Sequence, residues 1–333
     1  MDTVQTPQNI LELGRNFMEC RILLSAAELD LFTLLAPSPL SVEEIAVKLG
    51  ANLRALTILL DALAAIGLLV KREQRYQTEP SAAVLLSAHE PQSILPMVLH
   101  LAILWERWSH LTDMIRGKKI PEKPSVVEDG KSLRAFIGAM NVVATPLAPR
   151  VVAAVNPASA TSLLDVGGAS GTYTLVFLNA FPGLRATLFD RPNVIEMAKE
   201  RLSLAGVLDR VRLVSGDFHY DELPPGHDLA FLSAIIHQNS LDQNLDLYRK
   251  VFRALTPGGR IVIRDHIMNP DRTMPRSGAI FAVNMLMATN SGNSYTFKEV
   301  RDGLFQAGFT RIGLLQSGEN MDALVEGFKP LSQ

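Results

Sequence analysis

The sequence predicts an α/β protein, a largely parallel sheet covered by helices on both faces, preceded by an α-helical unit of winged-helix type. Three observations predict it. From Ser162 onward short apolar runs alternate with helical segments, as strands and crossover helices of a parallel sheet do. The first run leads into a glycine-rich loop, Asp165-Val-Gly-Gly-Ala-Ser-Gly171. Before residue 90 the apolar spacing is helical and closes on a short strand pair.

At 333 residues the chain is long for one core and comfortable for two. Its 47% apolar and 20% charged residues are those of a folding globular chain rather than a disordered one. A formal charge of −2 opposes general nucleic-acid binding, which needs a basic surface to neutralise phosphates. Cys20 stands alone, so no intramolecular disulfide and no thiolate metal site is expected, and a reducing, cytoplasmic setting suits it. The segment 1–12 lacks the basic-then-apolar order of a secretion signal. The most apolar run, Ala55 to Val70, is shorter than the ~20 residues of a membrane helix and contains Asp61, so no membrane span is expected.

In chain order, Ile10 to Leu35 predicts one or two amphipathic helices. Ser41 with Glu44 makes a capping box for a helix that Gly50 stops, and a second helix runs from Asn52 to about Ile66 before Gly67. Leu68 to Thr78 reads as two strands around a charged turn. A groove-reading helix needs several Arg, Lys, Asn or Gln side chains, and between Asn52 and Ile66 the only basic residue is Arg54. This apolar helix predicts a protein contact rather than DNA binding. Residues 91–155 read as a helical connector, with Trp105 and Trp108 on one helix, a polar break from Gly117 to Gly130, and a helix around Leu133 to Val143. Strands are expected at Ser162–Val166, Ala186–Phe189, Val211–Val214, Leu229–Ile236, Arg260–Arg264, Thr310–Leu315 and Asp322–Phe328. Helices are expected at Val194–Ala205, Leu245–Leu255 and Thr296–Ala307.

Gly167, Gly168 and Gly171 remove side chains where a strand-to-helix turn brings backbone close to a ligand. The nicotinamide spacing G-x-G-x-x-G is missing, because Ala169 stands at its second glycine. Asp190 follows at the end of the second strand, ~20 residues on, where a carboxylate can accept both ribose hydroxyls. Asn193 is expected to cap the next helix, leaving Asp190 free. Asp217 in Ser215-Gly-Asp-Phe218 follows the third strand and can accept the adenine amino hydrogens, with Phe218 against the ring. His219 and His227 are expected in a loop, and His266 is a secondary histidine candidate.

The run from Leu163 to Pro270 resembles the catalytic domain of the methyltransferases that include plant caffeate and flavonoid, bacterial polyketide and acetylserotonin O-methyltransferases. Leu-Leu-Asp165-Val-Gly-Gly, Leu-Phe-Asp190-Arg-Pro-Asn, Ser-Gly-Asp217-Phe, Ile-Ile-His237 and Leu-Thr-Pro-Gly-Gly-Arg-Ile-Val-Ile-Arg-Asp265 carry the resemblance, and the N-terminal part is similar to the family's dimerisation domain. It implies a Rossmann-like seven-stranded methyltransferase domain at 156–333, a connector at 91–155 contributing to the acceptor pocket, and a winged-helix dimerisation domain at 1–90. S-adenosylmethionine would be the cofactor, S-adenosylhomocysteine the product, and no metal would be needed. Asp165, Gly167, Gly168, Gly171, Asp190, Arg191, Asp217, Phe218 and Ser233 would bind the cofactor, and Met140, Asn141, Asn284 and Met287 a small hydroxylated acceptor, aromatic or polyketide-like. His237 would be the general base and Asp265 its orienting acid. An imidazole of pKa ~6.5 within reach of a phenol of pKa ~10 can take its proton as the oxygen attacks the sulfonium methyl. The chain departs from the plant pattern at Ala169, at Gln238-Asn239, where those enzymes carry Asp-Trp, and at Ser294, in the region of their second catalytic acid. Decarboxylation or hydroxylation on the same scaffold, and a non-enzymatic winged-helix regulator, are the alternative readings.

Overall fold

Apolar runs too short for helices, bounded by turn residues, form the strands of the main sheet. The structure, a computed structural model, describes residues 5–119, 130–157 and 159–331. They fall into two compact units, one of residues 1–106 with 125–142 and one of residues 107–124 with 143–333, so the connector expected at 91–155 is divided between them. The polar break expected from Gly117 to Gly130 lies mostly outside the described residues.

In the first unit, helices Pro7–Glu28 and Leu31–Leu35 are followed by Val42–Leu49 and Leu53–Ala65. The Ser41–Glu44 capping box forms in both directions, Gly50 ends its helix in the left-handed region, and Asn52 caps the next through the amide of Ala55. Leu69–Arg72 and Arg75–Thr78 pair antiparallel, and Leu40–Ser41 adds a third strand. Leu31, Phe32, Leu60, Leu63 and Tyr76 are packed at the centre of this unit.

The second unit is built on seven strands, β1 (Ser162–Val166), β2 (Arg185–Asp190), β3 (Val211–Ser215), β4 (His227–Ser233), β5 (Leu255–Asp265), β6 (Thr310–Gln316) and β7 (Ala323–Phe328). Their order across the sheet is β3-β2-β1-β4-β5-β7-β6. β1 to β5 are parallel, while β7 pairs antiparallel with both β5 and β6. Alternate residues feed two cores. Leu164, Val166, Ile261 and Ile263 face helices Leu241–Ala254 and Phe297–Gln306, whereas Leu163, Phe231 and Val262 face helices Ala148–Val155, Thr172–Ala180 and Pro192–Leu204. The chain leaves β1 in one direction and returns through β4 on its other side, so a crevice opens at the carboxyl ends of these neighbours, where open α/β sheets bind ligands.

Several boundaries differ from expectation for local reasons. The strand expected to reach Ile236 ends at Ser233, because Ala234 adopts a positive φ of 57° and Ile236–Gln238 forms a 3-10 turn. Ile235 and Ile236 are buried from that turn, which is why they read as strand. Asn193 does not cap its helix: Pro192 occupies the first turn and the cap is Arg191. The helix expected from Leu245 begins at Leu241, behind a Ser240–Gln243 capping box. His227 is not in a loop but opens β4, its Nδ1 2.7 Å from the Ser162 hydroxyl.

Phe231 joins sheet to helix on the second face, with ring centroids 5.1 Å from Tyr173 and 5.3 Å from Phe177 and no exposure. Phe231→Ala is expected to destabilise the protein by about 3 to 5 kcal/mol, read as a lower urea midpoint.

Candidate functional site

The glycine loop after β1 supplies the floor of the crevice. Gly167 and Gly171 have positive φ, 69° and 76°. A Cβ on Gly168 would lie 2.7 Å from Leu188 Cγ and 2.9 Å from Asp165 Cγ, so any side chain there would displace the loop. Ala169, in place of a glycine, is also left-handed, at φ 49°. Its amide donates to Asp190 Oδ2 at 2.8 Å, and the Arg191 amide donates to Asp190 Oδ1 at 2.7 Å. These bonds fix the Asp190 carboxylate at the end of β2 and leave each oxygen a further lone pair for a ribose hydroxyl. Burial pushes the Asp190 carboxyl up while the two amides oppose the shift.

Asp165 occupies a different place from Asp190. It is buried beneath the loop, accepts from Thr174 Oγ1 at 2.6 Å, and supports the glycines from below instead of opening into the crevice. Burial pushes its carboxyl up to about 6.

Beside Asp190 lies a cleft of about 630 Å³ lined by Arg191, Asn193, Gly216, Asp217 and Asp221 among others. Arg191 Nη2 stands 3.4 Å from Asp217 Oδ2, and Asp221 accepts from the Asp217 amide. Phe218 packs on the core edge near Gly167. Lys250, which sequence reasoning missed, holds this loop from beneath: its buried ammonium donates to the carbonyls of Phe218 at 2.9 Å and His219 at 3.0 Å. A lysine among Leu247, Tyr248, Val251 and Ala254 on the buried face of an otherwise amphipathic helix was the signal available.

On the other side of the crevice, the turn after β4 carries His237. Its Nδ1 lies 3.0 Å from both oxygens of Asp265, the last residue of β5. Asp265 has no exposure and also accepts from the His266 amide at 2.8 Å. Burial alone would raise its carboxyl, but the charge and hydrogen bond of His237 and the His266 amide hold it below the usual range. The ionised carboxylate selects the tautomer with the proton on Nδ1, leaving Nε2 as the basic nitrogen. Phe281 meets the His237 ring edge-on at 4.8 Å. The turn is clamped by Asn244 Nδ2 to the Ile236 carbonyl, by the Asn239–Asn244 side-chain bond, and by the Asn293 amide to the His237 carbonyl. Asn239 and Ser294 therefore have structural partners of their own, Asn239 through Asn244 and Ser294 by donating its Oγ hydrogen to the Gly278 carbonyl at 2.8 Å, while Gln238 is exposed. His266 is buried against Phe281, and burial pushes its imidazole down.

Among the expected acceptor residues, Asn284 accepts from Trp108 Nε1 at 3.1 Å and Met287 is buried on the same helix, Arg276–Ala288. Met140 and Asn141 lie in the first unit, on helix Gly130–Ala144. Ser233 ends β4 and accepts from Arg264 Nη1 at 3.0 Å. Among the described residues no His, Cys, Asp and Glu cluster could hold a metal ion, and no single helix is long and apolar enough to cross a membrane.

A switch-point crevice with a fixed carboxylate at one end and a carboxylate-oriented imidazole at the other defines a ligand-binding α/β protein with a positioned base. Comparison with known proteins makes the class specific. Residues 123–310 match the O-methyltransferase domain family and residues 11–88 the O-methyltransferase dimerisation domain. The tetracenomycin polyketide synthesis 8-O-methyl transferase TcmO of Streptomyces glaucescens is 33% identical over 334 residues, covering 98% of each chain. Acetylserotonin O-methyltransferase of Gallus gallus is 27% identical over 337 residues, covering 96% of each. Among solved structures, human N-acetylserotonin methyltransferase in complex with SAM superposes with a TM-score of 0.84 at 24% identity, over 99% of this chain and 100% of that one. The mitomycin 7-O-methyltransferase MmcR gives a TM-score of 0.85 at 26% identity, over 97% of each. The chain belongs to the S-adenosylmethionine-dependent O-methyltransferase family.

Two outcomes follow from the loop and its supports. Because the folded Asp165 value of about 6 lies above the ordinary carboxylate value, its contribution is fully present below that ordinary value and is lost as pH rises through about 6. The unfolding free energy of the wild type, taken from urea titrations, should therefore fall by about 3 kcal/mol relative to Asp165→Asn between about pH 4 and pH 6; parallel pH profiles would contradict this. Lys250→Met should weaken S-adenosylhomocysteine binding about tenfold or more with Lys250→Arg less affected, measured by calorimetry, since the carbonyls of Phe218 and His219 lose their buried donor.

Proposed function

We propose that this enzyme methylates a hydroxyl of a small aromatic or polyketide-like acceptor, with His237 as general base. The observation that carries the reading is the imidazole whose Nδ1 is held 3.0 Å from both oxygens of a fully buried carboxylate, at the edge of the crevice. The glycine floor that a Cβ would fill and the pre-set Asp190 carboxylate fit an adenosyl group. Asp190 would take the ribose hydroxyls and Asp217 with Phe218 the adenine. When bound, S-adenosylmethionine supplies an electrophilic methyl on a sulfonium that leaves as a neutral thioether.

His237 Nε2 accepts the acceptor's hydroxyl proton as that oxygen forms its bond to carbon, and Asp265 stabilises the resulting imidazolium without taking the proton itself. The clamps on the turn keep the ring in line, an orientation effect that in general supplies up to ~7 to 11 kcal/mol of barrier lowering. Asn284 and Met287 are assigned to the acceptor side, and Met140 and Asn141 are carried by the family resemblance. The acceptor class is supported by the 33% identity to a polyketide O-methyltransferase.

We further assign a homodimer through the N-terminal unit. Its helix Pro7–Glu28 exposes Ile10, Leu11, Leu13, Phe17 and Met18, an apolar surface of the kind that a partner covers. A cytoplasmic location is in keeping with the exposed, unpaired Cys20.

His237→Gln is expected to lower kcat by about 100- to 10,000-fold while leaving S-adenosylhomocysteine affinity within about threefold of wild type. Turnover that survives this change, with cofactor still bound, would contradict the assignment of the base.

A further inference from the structure

Arg264 is the penultimate residue of β5 and points to the opposite face from Asp265. It is 2% exposed. Its guanidinium makes a single hydrogen bond, Nη1 to Ser233 Oγ at 3.0 Å, and lies 5.3 Å above the Tyr173 ring. Among the described residues Nε and Nη2 are buried with no hydrogen-bond partner, and so is the Tyr173 hydroxyl beside them. Among the described residues no carboxylate pairs with this cation: Asp322 is engaged by Arg150 and Asp165 by Thr174. A buried guanidinium without an anion is strongly unfavourable, because its lost hydration is not replaced. The site is therefore one anion short.

The place of the cluster says which anion. Ser233 is the last residue of β4 and only partly buried, so it is the point at which the cluster reaches the crevice. Tyr173 lies in the first turn of the helix that follows the glycine loop. The cation thus stands under the end of the crevice between the glycine loop and the His237 turn, away from the adenine-side cleft of Arg191 and Asp217. Resting on the cofactor reading above, we infer that Arg264 is the fixed counter-charge for the α-carboxylate of S-adenosylmethionine, presented through Ser233. Ser233 accepts from the guanidinium and is thereby left to donate its own hydrogen to the carboxylate. In the low dielectric beneath the sheet the charge acts beyond direct contact.

The test compares S-adenosylhomocysteine with its decarboxylated analogue, which keeps the nucleoside, thioether and amine. Binding to the full-length protein is measured by calorimetry, and melting temperatures are recorded with and without ligand. Wild type should prefer S-adenosylhomocysteine by about 10- to 100-fold, the range of a hydrogen bond to a charged group. Arg264→Met should close that gap to within about threefold by weakening only the carboxylate ligand, and Ser233→Ala should narrow it. The unliganded Arg264→Met protein should melt no lower than wild type, because an unpaired buried charge has been replaced by an apolar chain, whereas a merely structural arginine would leave it less stable. A wild type that binds both ligands equally, or an Arg264→Met protein that keeps the preference or loses both ligands alike, would overturn the inference and assign the missing partner to buried water. Should Arg264→Met not fold, the wild-type preference and the Ser233→Ala response decide alone. A wild type that binds neither ligand would instead overturn the cofactor reading itself.

Discussion

The chemistry of this protein depends on how one buried strand disposes two opposite charges. Arg264 and Asp265 are adjacent, and the pleat sends them to opposite faces at the carboxyl end of β5. Neither can be left unmatched away from water. Asp265 is matched within the sheet's first face by His237, from the turn after the neighbouring strand β4. That match sets the imidazole tautomer and fixes the ring at the edge of the crevice. Among the described residues Arg264 finds a serine hydroxyl and the face of a tyrosine but no carboxylate.

The sheet topology makes both placements possible. Reversal between β1 and β4 opens a crevice, with the glycine loop on one side and the His237 turn on the other. Parallel pairing of β4 with β5, in which Ser233 faces Arg264, then brings the ends of these strands into one neighbourhood. Outlying supports do the rest: Asn244 and Asn293 fix the histidine turn, and Lys250 fixes the loop of Asp217 and Phe218. A methyl transfer needs oxygen, carbon and sulfur in line, so rigidity at these turns matters as much as the base itself.

Much of this was legible in the sequence because each strand is an apolar run closed by a loop residue. The glycines, Asp190, Asp217, His237 and Asp265 fall at strand ends, where their order alone suggests a shared sheet edge. Where the reading slipped, a local cause is visible. Ile235 and Ile236 are as apolar as a strand but are buried from a 3-10 turn, and Pro192 takes the first helical turn that Asn193 was expected to cap. Asp165 reads like a ligand group and is instead a prop beneath the loop. Phe281, Lys250 and Arg264 act through contacts distant in sequence. Their traces were faint: a lysine on a buried helix face and an arginine inside an apolar strand.

Methyl transfer to oxygen is the reaction that the crevice and the family together assign to this protein. It is tested most directly by incubating the protein with methyl-labelled S-adenosylmethionine and a panel of hydroxylated aromatic and polyketide-like compounds, with products read by mass spectrometry. The expected result is a labelled product heavier than its acceptor by one methyl in place of hydrogen, located on a hydroxyl oxygen. Cofactor binding without labelled product across the panel, or label carried on carbon or nitrogen, would contradict it.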